Sequence, residues 1–207
     1  MIYDLTHEIN PELPVYPGDP HVQIAQAASL NPDGYADRLL TMGTHNGTHM
    51  DAPAHMLAGG KELKEYSADR FVAEAVCVDV RDGFEAAQVS EAITMLGETA
   101  VNKAVVFCTG ASDHFTEQRY WDDDRVLDDA TTQVLIESGI RLVGIDKGSF
   151  DNDEPFPVHK ALLGADILLV ENLTNLAPLA GKTFRLYALP LKLEADGAPA
   201  RVLAEKP

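Results

Sequence analysis

From residue 74 onward the chain alternates short apolar runs with helix-like segments, and this order restricts the fold more than any other feature. Glu74–Val80 is a β-branched strand and Gln88–Leu96 is helix-like. Ala104–Thr109 reads as a buried strand ending at Thr109-Gly110. Asp128–Ser138 has helical periodicity through Val134, Leu135 and Ile136, with Gly139 placed to end it. Arg141–Asp146 and Asp166–Glu171 are short apolar strands that each close on a carboxylate, with a short helix expected over Val158–Leu163. Phe184–Leu193 reads as a last long strand, and its Pro190 suggests an edge or a bulge. Parallel strands need long crossovers, usually helical. The order therefore predicts an α/β domain with a partly parallel sheet.

The first half is less regular. Ile2–Ile9 alternates loosely as a first strand, and Asn10–Pro20 holds four prolines and a glycine, so it reads as an ordered loop. Val22–Ala28 and Tyr35–Met42 are candidate strands, and Gly59-Gly60 interrupts the chain. No repeat, low-complexity tract or linker divides the 207 residues, which favours a single domain over 1–207. With 45% hydrophobic residues the chain can bury a sizeable core without disulfides.

A formal net charge of -17 argues against nucleic acid as a partner, because phosphate binding needs clustered Lys and Arg. Cys77 and Cys108 each lie in an apolar run and read as buried reduced thiols; no CxxC pair or disulfide framework is present. The N-terminal segment lacks the apolar core of a signal peptide, and no apolar run is long enough to span a membrane. The expected setting is cytoplasmic, with a small molecule as partner and neither nucleic acid nor membrane.

Three of the seven histidines fall in one run, His45-Asn-Gly-Thr-His49-Met-Asp51-Ala-Pro-Ala-His55. Gly47, the β-branched Thr44 and Thr48, and Pro53 oppose a helix through its length. In an extended chain residues 45, 49 and 51 share a side; in a helix 45 and 49 would still share a face. Asp51 is also a plausible N-cap for a helix starting at Ala52-Pro53, a turn that would carry His55 back over the site. Two imidazoles and a carboxylate suit Zn, Mn or Fe, and three protein ligands leave room for water, as catalytic sites do. A fourth group, His55, can move protons if it stays off the metal. His159, before a short helix, and Glu171, at the end of an apolar strand, could complete the site, since open α/β sheets bind ligands at strand C-termini; each equally suits a capping or solvated role.

The run closely resembles the HxGTHxDxPxH signature of the cyclase-like metal-dependent hydrolases, a family that includes arylformamidases and isatin hydrolases. DLTHEINPELPVYPGD near the start, GIDKGSFD at 144–151, HKALLGADILLVENL at 159–173 and ALPLKLEADGAPARVL at 188–203 resemble further family blocks in order, so the likeness covers nearly the whole chain. The resemblance implies a swivelling β/β/α domain with a mixed sheet, associating as a homodimer or homotetramer. It implies that His45, His49 and Asp51 bind a first divalent metal, Zn or Mn, and that Asp51, His159 and Glu171 surround a second, with one or two ions per subunit. It gives His55 the role of general acid/base. Two departures bear on substrate. Tyr16 precedes Pro17-Gly18-Asp19 where formamidase-type members tend to have Trp, and Ala111 follows Thr109-Gly110 where relatives often carry Trp. Tyr16 still offers a flat face to a planar substrate.

The function implied is hydrolysis of a small amide, of the N-formylkynurenine type, by water ionised on the metal. Alternatives are opening of a cyclic amide or lactone, a cyclising or dehydrating lyase, and a non-catalytic structural metal site.

Overall fold

The computed structural model describes residues 1–97, 100, 102–152 and 154–206. Among these the strands are β1 (Ile2–Asp4), β2 (Gln23–Ala28), β3 (Asp37–Thr41), β4 (His49–Asp51), β5 (Val72–Asp79), β6 (Lys103–Cys108), β7 (Leu142–Ile145), β8 (Leu168–Glu171), β9 (Thr183–Pro190) and β10 (Gly197–Glu205). β5 to β8 lie side by side and parallel, as the alternation predicts. β4 adds antiparallel to β8, β10 to β4, and β9 pairs with both β10 and β5. Seven strands thereby close into a mixed, barrel-like sheet. β1 sits outside on β10, and β2 and β3 form a separate pair.

Strand alternation sorts the core into two layers. On the inner side of the closed sheet lie Ala73, Ala75 and Cys77 from β5, Ala104, Val106 and Cys108 from β6, Leu168 and Val170 from β8, and Ala198, Ala200, Val202 and Ala204 from β10. So many small side chains suit the narrow interior of a seven-stranded closure. The opposite faces of β5 to β8, including Val76, Val105, Val143 and Leu169, pack with Val89, Leu135 and Leu162. Those three belong to helices Ala86–Thr94, Asp129–Glu137 and Pro157–Gly164, which follow β5, β6 and β7 as crossover connections. Asp128 caps the second of them by accepting the Thr131 N–H at 2.7 Å. Both cysteines are free and buried, as expected.

Two sequence expectations change. The first strand stops at Asp4 rather than Ile9, leaving only an isolated bridge from Thr6 to Leu173. β9 ends at Pro190 rather than Leu193 and is not the last strand, since β10 follows it. Pro190 does lie at an edge: β5 accompanies β9 only as far as Tyr187, so at Pro190 β10 alone is paired with it and the missing N–H interrupts no second ladder. No helix among the described residues is long and apolar enough to cross a membrane.

Candidate active site

The same alternation builds the site. Met50 of β4 points into the closed sheet, so His49 and Asp51 point out of it. On β8, Leu168 and Val170 point in, so Leu169 and Glu171 point out. The β4–β8 register sets His49 against Glu171 and Asp51 against Leu169. Three polar side chains therefore share one outer patch. Helix Pro157–Gly164, started by a proline at its first turn, lies beside β8 and buries Val158, His159 and Leu162. His45 enters from the turn before β4, and His55 sits on the 3-10 turn Pro53–His55 after it.

The sequence-derived candidates His45, His49, Asp51, His55, His159 and Glu171 all meet here. His45 Nδ1 is 2.7 Å from Asp51 Oδ1. His49 Nε2 is 3.3 Å from Asp51 Oδ1 and 3.5 Å from Glu171 Oε2. His159 Nε2 is 3.0 Å from Glu171 Oε1 and 3.9 Å from Asp51 Oδ2. The outer ring nitrogens of two histidines are held elsewhere. His49 Nδ1–H donates to the Gly47 carbonyl at 2.9 Å, and His159 Nδ1 meets Asp151 Oδ2 at 2.7 Å. Their Nε2 atoms are thereby turned toward the carboxylates. Two compact donor groups result, His49–Asp51–Glu171 and His45–Asp51–His55, with Asp51 common to both. The grouping differs from the sequence-based pairing in that His55 stands within ligand reach of His45 and Asp51. Asp51 is not the N-cap of the following turn. Ala52 occupies that position, because the Asp51 side chain is engaged by His45 and His49.

Burial depresses the basicity of these rings, but the carboxylates outweigh it. His45 is raised to about 9 by Asp51 and Asp196, and His159 to about 10 by Asp151, Glu171 and Asp51. His49 is likewise raised, by Asp51 and Glu171. Asp51, though fully buried, is held well below the usual carboxylate range by His49 and His45. So much opposite charge at close range favours charged partners over neutral ones. One atom is left out: Asp51 Oδ2 is buried and has no hydrogen-bond partner among the described residues. A buried carboxylate oxygen without a partner is costly, and a cation relieves it. The imidazole and carboxylate donors also match the preferences of Zn, Mn and Fe. The residues fit a divalent metal.

The cluster forms the floor of a cavity of about 230 Å³ whose walls include Tyr16, Trp121, Phe156 and Met56. That is near the small end of ligand pockets, which span roughly 300–1,000 Å³. Tyr16 meets Trp121 edge to face, with centroids 6.0 Å apart. Sequence reasoning missed Trp121, Asp151 and Asp196. Trp121 lies in a polar stretch far from any motif. Asp151 and Asp196 bond to histidines eight or more positions away, and no local spacing announces them.

The family model "Putative cyclase" matches residues 3–152. A kynurenine formamidase of Salinibacter ruber is 34% identical over 215 residues, spanning 100% of this chain and 98% of that protein. A solved structure of isatin hydrolase A from Labrenzia aggregata, bound to benzyl benzoate, is similar with a TM-score of 0.80 and 26% identity, over 99% of this chain and 93% of that one. Another, described as a "potential metal-dependent hydrolase with cyclase activity", has a TM-score of 0.76 and 28% identity, over 100% and 99%. Matches of this length make the chain a hydrolytic enzyme. It belongs to the cyclase family, as its histidine run implied.

Proposed function

We propose that the chain, as a single domain over residues 1–207, is a metal-dependent amidohydrolase that cleaves an aryl formamide of the N-formylkynurenine type. The observation that carries this reading is the convergence of His45, His49, Asp51, His159 and Glu171 beneath an aromatic-walled cavity. The 34% identity to a kynurenine formamidase over the whole chain supports the substrate class. His45, His49 and Asp51 would hold a first ion, Zn or Mn, and Asp51, His159 and Glu171 would hold a second. A divalent metal bound there would supply Lewis acidity toward water and the amide carbonyl.

The remaining chemistry belongs to the chain. His55 accepts a proton as water adds to the formyl carbon and a C–O bond forms. It returns that proton to the nitrogen as the C–N bond breaks, releasing formate and an aromatic amine. Tyr16, with Trp121 and Phe156 beside it, holds the planar ring and excludes bulk water. Association as a homodimer or homotetramer is supported by the exposed apolar side chains of β2 and β3.

The 26% identity to isatin hydrolase A favours a second reading, opening of a cyclic amide by the same groups. Metal analysis with a substrate panel tests both. Chelation should abolish turnover of an aryl formamide, and zinc or manganese should restore it. Full turnover by metal-free protein would refute the mechanism. Faster turnover of isatin than of any formamide would transfer the assignment to the second reading.

A further inference from the structure

Asp196 ends the loop before β10, and its backbone carbonyl takes the Ala52 N–H at 2.8 Å. This anchors it beside the histidine run. One carboxylate oxygen, Oδ2, is 3.0 Å from His45 Nε2 and 3.1 Å from His55 Nδ1. The two rings stack with centroids 4.0 Å apart. The next residue completes the cradle. A Cβ on Gly197 would lie 2.4 Å from His45 Cε1 and 2.8 Å from Nε2, so only glycine lets the ring lie across the start of β10.

We propose that Asp196 is a positioning residue that fixes the tautomers of His45 and His55 together. A carboxylate oxygen only accepts, so both ring nitrogens that face it carry their hydrogens. His45 Nδ1 shares a hydrogen with Asp51 Oδ1 at 2.7 Å; with a divalent ion bound, that hydrogen would leave and the Nδ1 lone pair would face the ion, because Asp196 keeps the other hydrogen on Nε2. His55 presents a lone pair at Nε2, free to take the proton of attacking water. His49 and His159 are oriented by the same device, their outer nitrogens held by the Gly47 carbonyl and by Asp151. A partner of this kind typically changes metal affinity 10–100-fold. Asp196 differs in serving two rings with different tasks, so that seating one seats the other.

The His55 half of this inference rests on the acid/base role proposed above; the tautomers do not. Long-range proton–nitrogen NMR of the zinc-loaded protein, labelled with ¹⁵N-histidine, reads them directly. The expected spectrum has His55 protonated at Nδ1 and His45 at Nε2. The opposite tautomer at either ring would overturn the proposal, whatever the activity. In Asp196→Asn the His55 signals should become a mixture and zinc affinity should fall about tenfold or more. At saturating zinc, kcat should drop roughly 10–100-fold with KM within about twofold, the loss typical when a site histidine loses its outer carboxylate. Asp196→Asn with wild-type spectrum, zinc affinity and kcat would sink the proposal. His55→Gln at full kcat would instead sink the acid/base role and leave the tautomer result standing.

Discussion

His7 stacks on Phe115 with ring centroids 3.6 Å apart. Burial pushes its pKa down to about 4, against an opposing contribution from the Leu173 backbone. In the unfolded chain the ring titrates near 6.5. The folded pKa is the lower one, so the stabilising contribution is present above 6.5 and is lost as pH falls through 4. His7→Phe keeps the stacked plane and removes the titration. Its urea midpoint should exceed that of the wild type at pH 5 by more than at pH 7.5. Equal differences at the two pH values would mean the ring does not govern the acid limb. At this scale the sequence was informative where residue type and spacing coincide. His45, His49, Asp51 and His55 crowd one run, and their closeness along the chain was enough to bring them together. His7 carried no such signal, and neither did Asp151 or Asp196, whose roles depend on which strand ends meet.

Among the elements, the Pro53–His55 turn is packed with little tolerance. The chain folds back at residues 57–61, with the Ala54 N–H donating to the Lys61 carbonyl at 3.0 Å. A Cβ on Gly60 would lie 2.5 Å from Pro53 C and 2.6 Å from its carbonyl oxygen, atoms of the backbone that cannot swing aside. Gly60→Ala should cost about 1–3 kcal/mol in urea unfolding. Because the displaced turn carries His55, kcat should fall while metal content stays full. Unchanged stability and kcat would show that the turn yields without consequence. The parallel strands β5 to β8 were legible because each is a short apolar run bounded by turn residues. β10 was not. Its sequence, Gly-Ala-Pro-Ala-Arg-Val-Leu-Ala-Glu, is dominated by small residues that fill a narrow interior but do not read as a strand. β4 has only three residues, too few for any periodicity.

At the scale of the molecule, β2 and β3 pair only with each other among the described residues, and apart from Ala28 every residue in them is exposed. Leu39 is 61% exposed and Leu40 48%. A two-stranded ribbon is marginal by itself in water, and apolar residues on it are better covered by another copy. Leu39→Asp combined with Leu40→Asp should convert a sedimenting dimer or tetramer to monomer. A wild-type protein already monomeric at micromolar concentration would remove this surface as the interface. Closure of the sheet was the least legible feature of all, since it depends on β9 reaching both β5 and β10. The register that opposes His49 to Glu171 joins residues more than a hundred positions apart, and Asp196 arrives later still. A chain emerging from a ribosome thus exposes its histidine run long before the carboxylates that complete it exist. Completion of the donor set must wait for β8 to pair with β4, a non-local and therefore slow event. Until then the nascent protein carries a half-made chelator, open to stray cations.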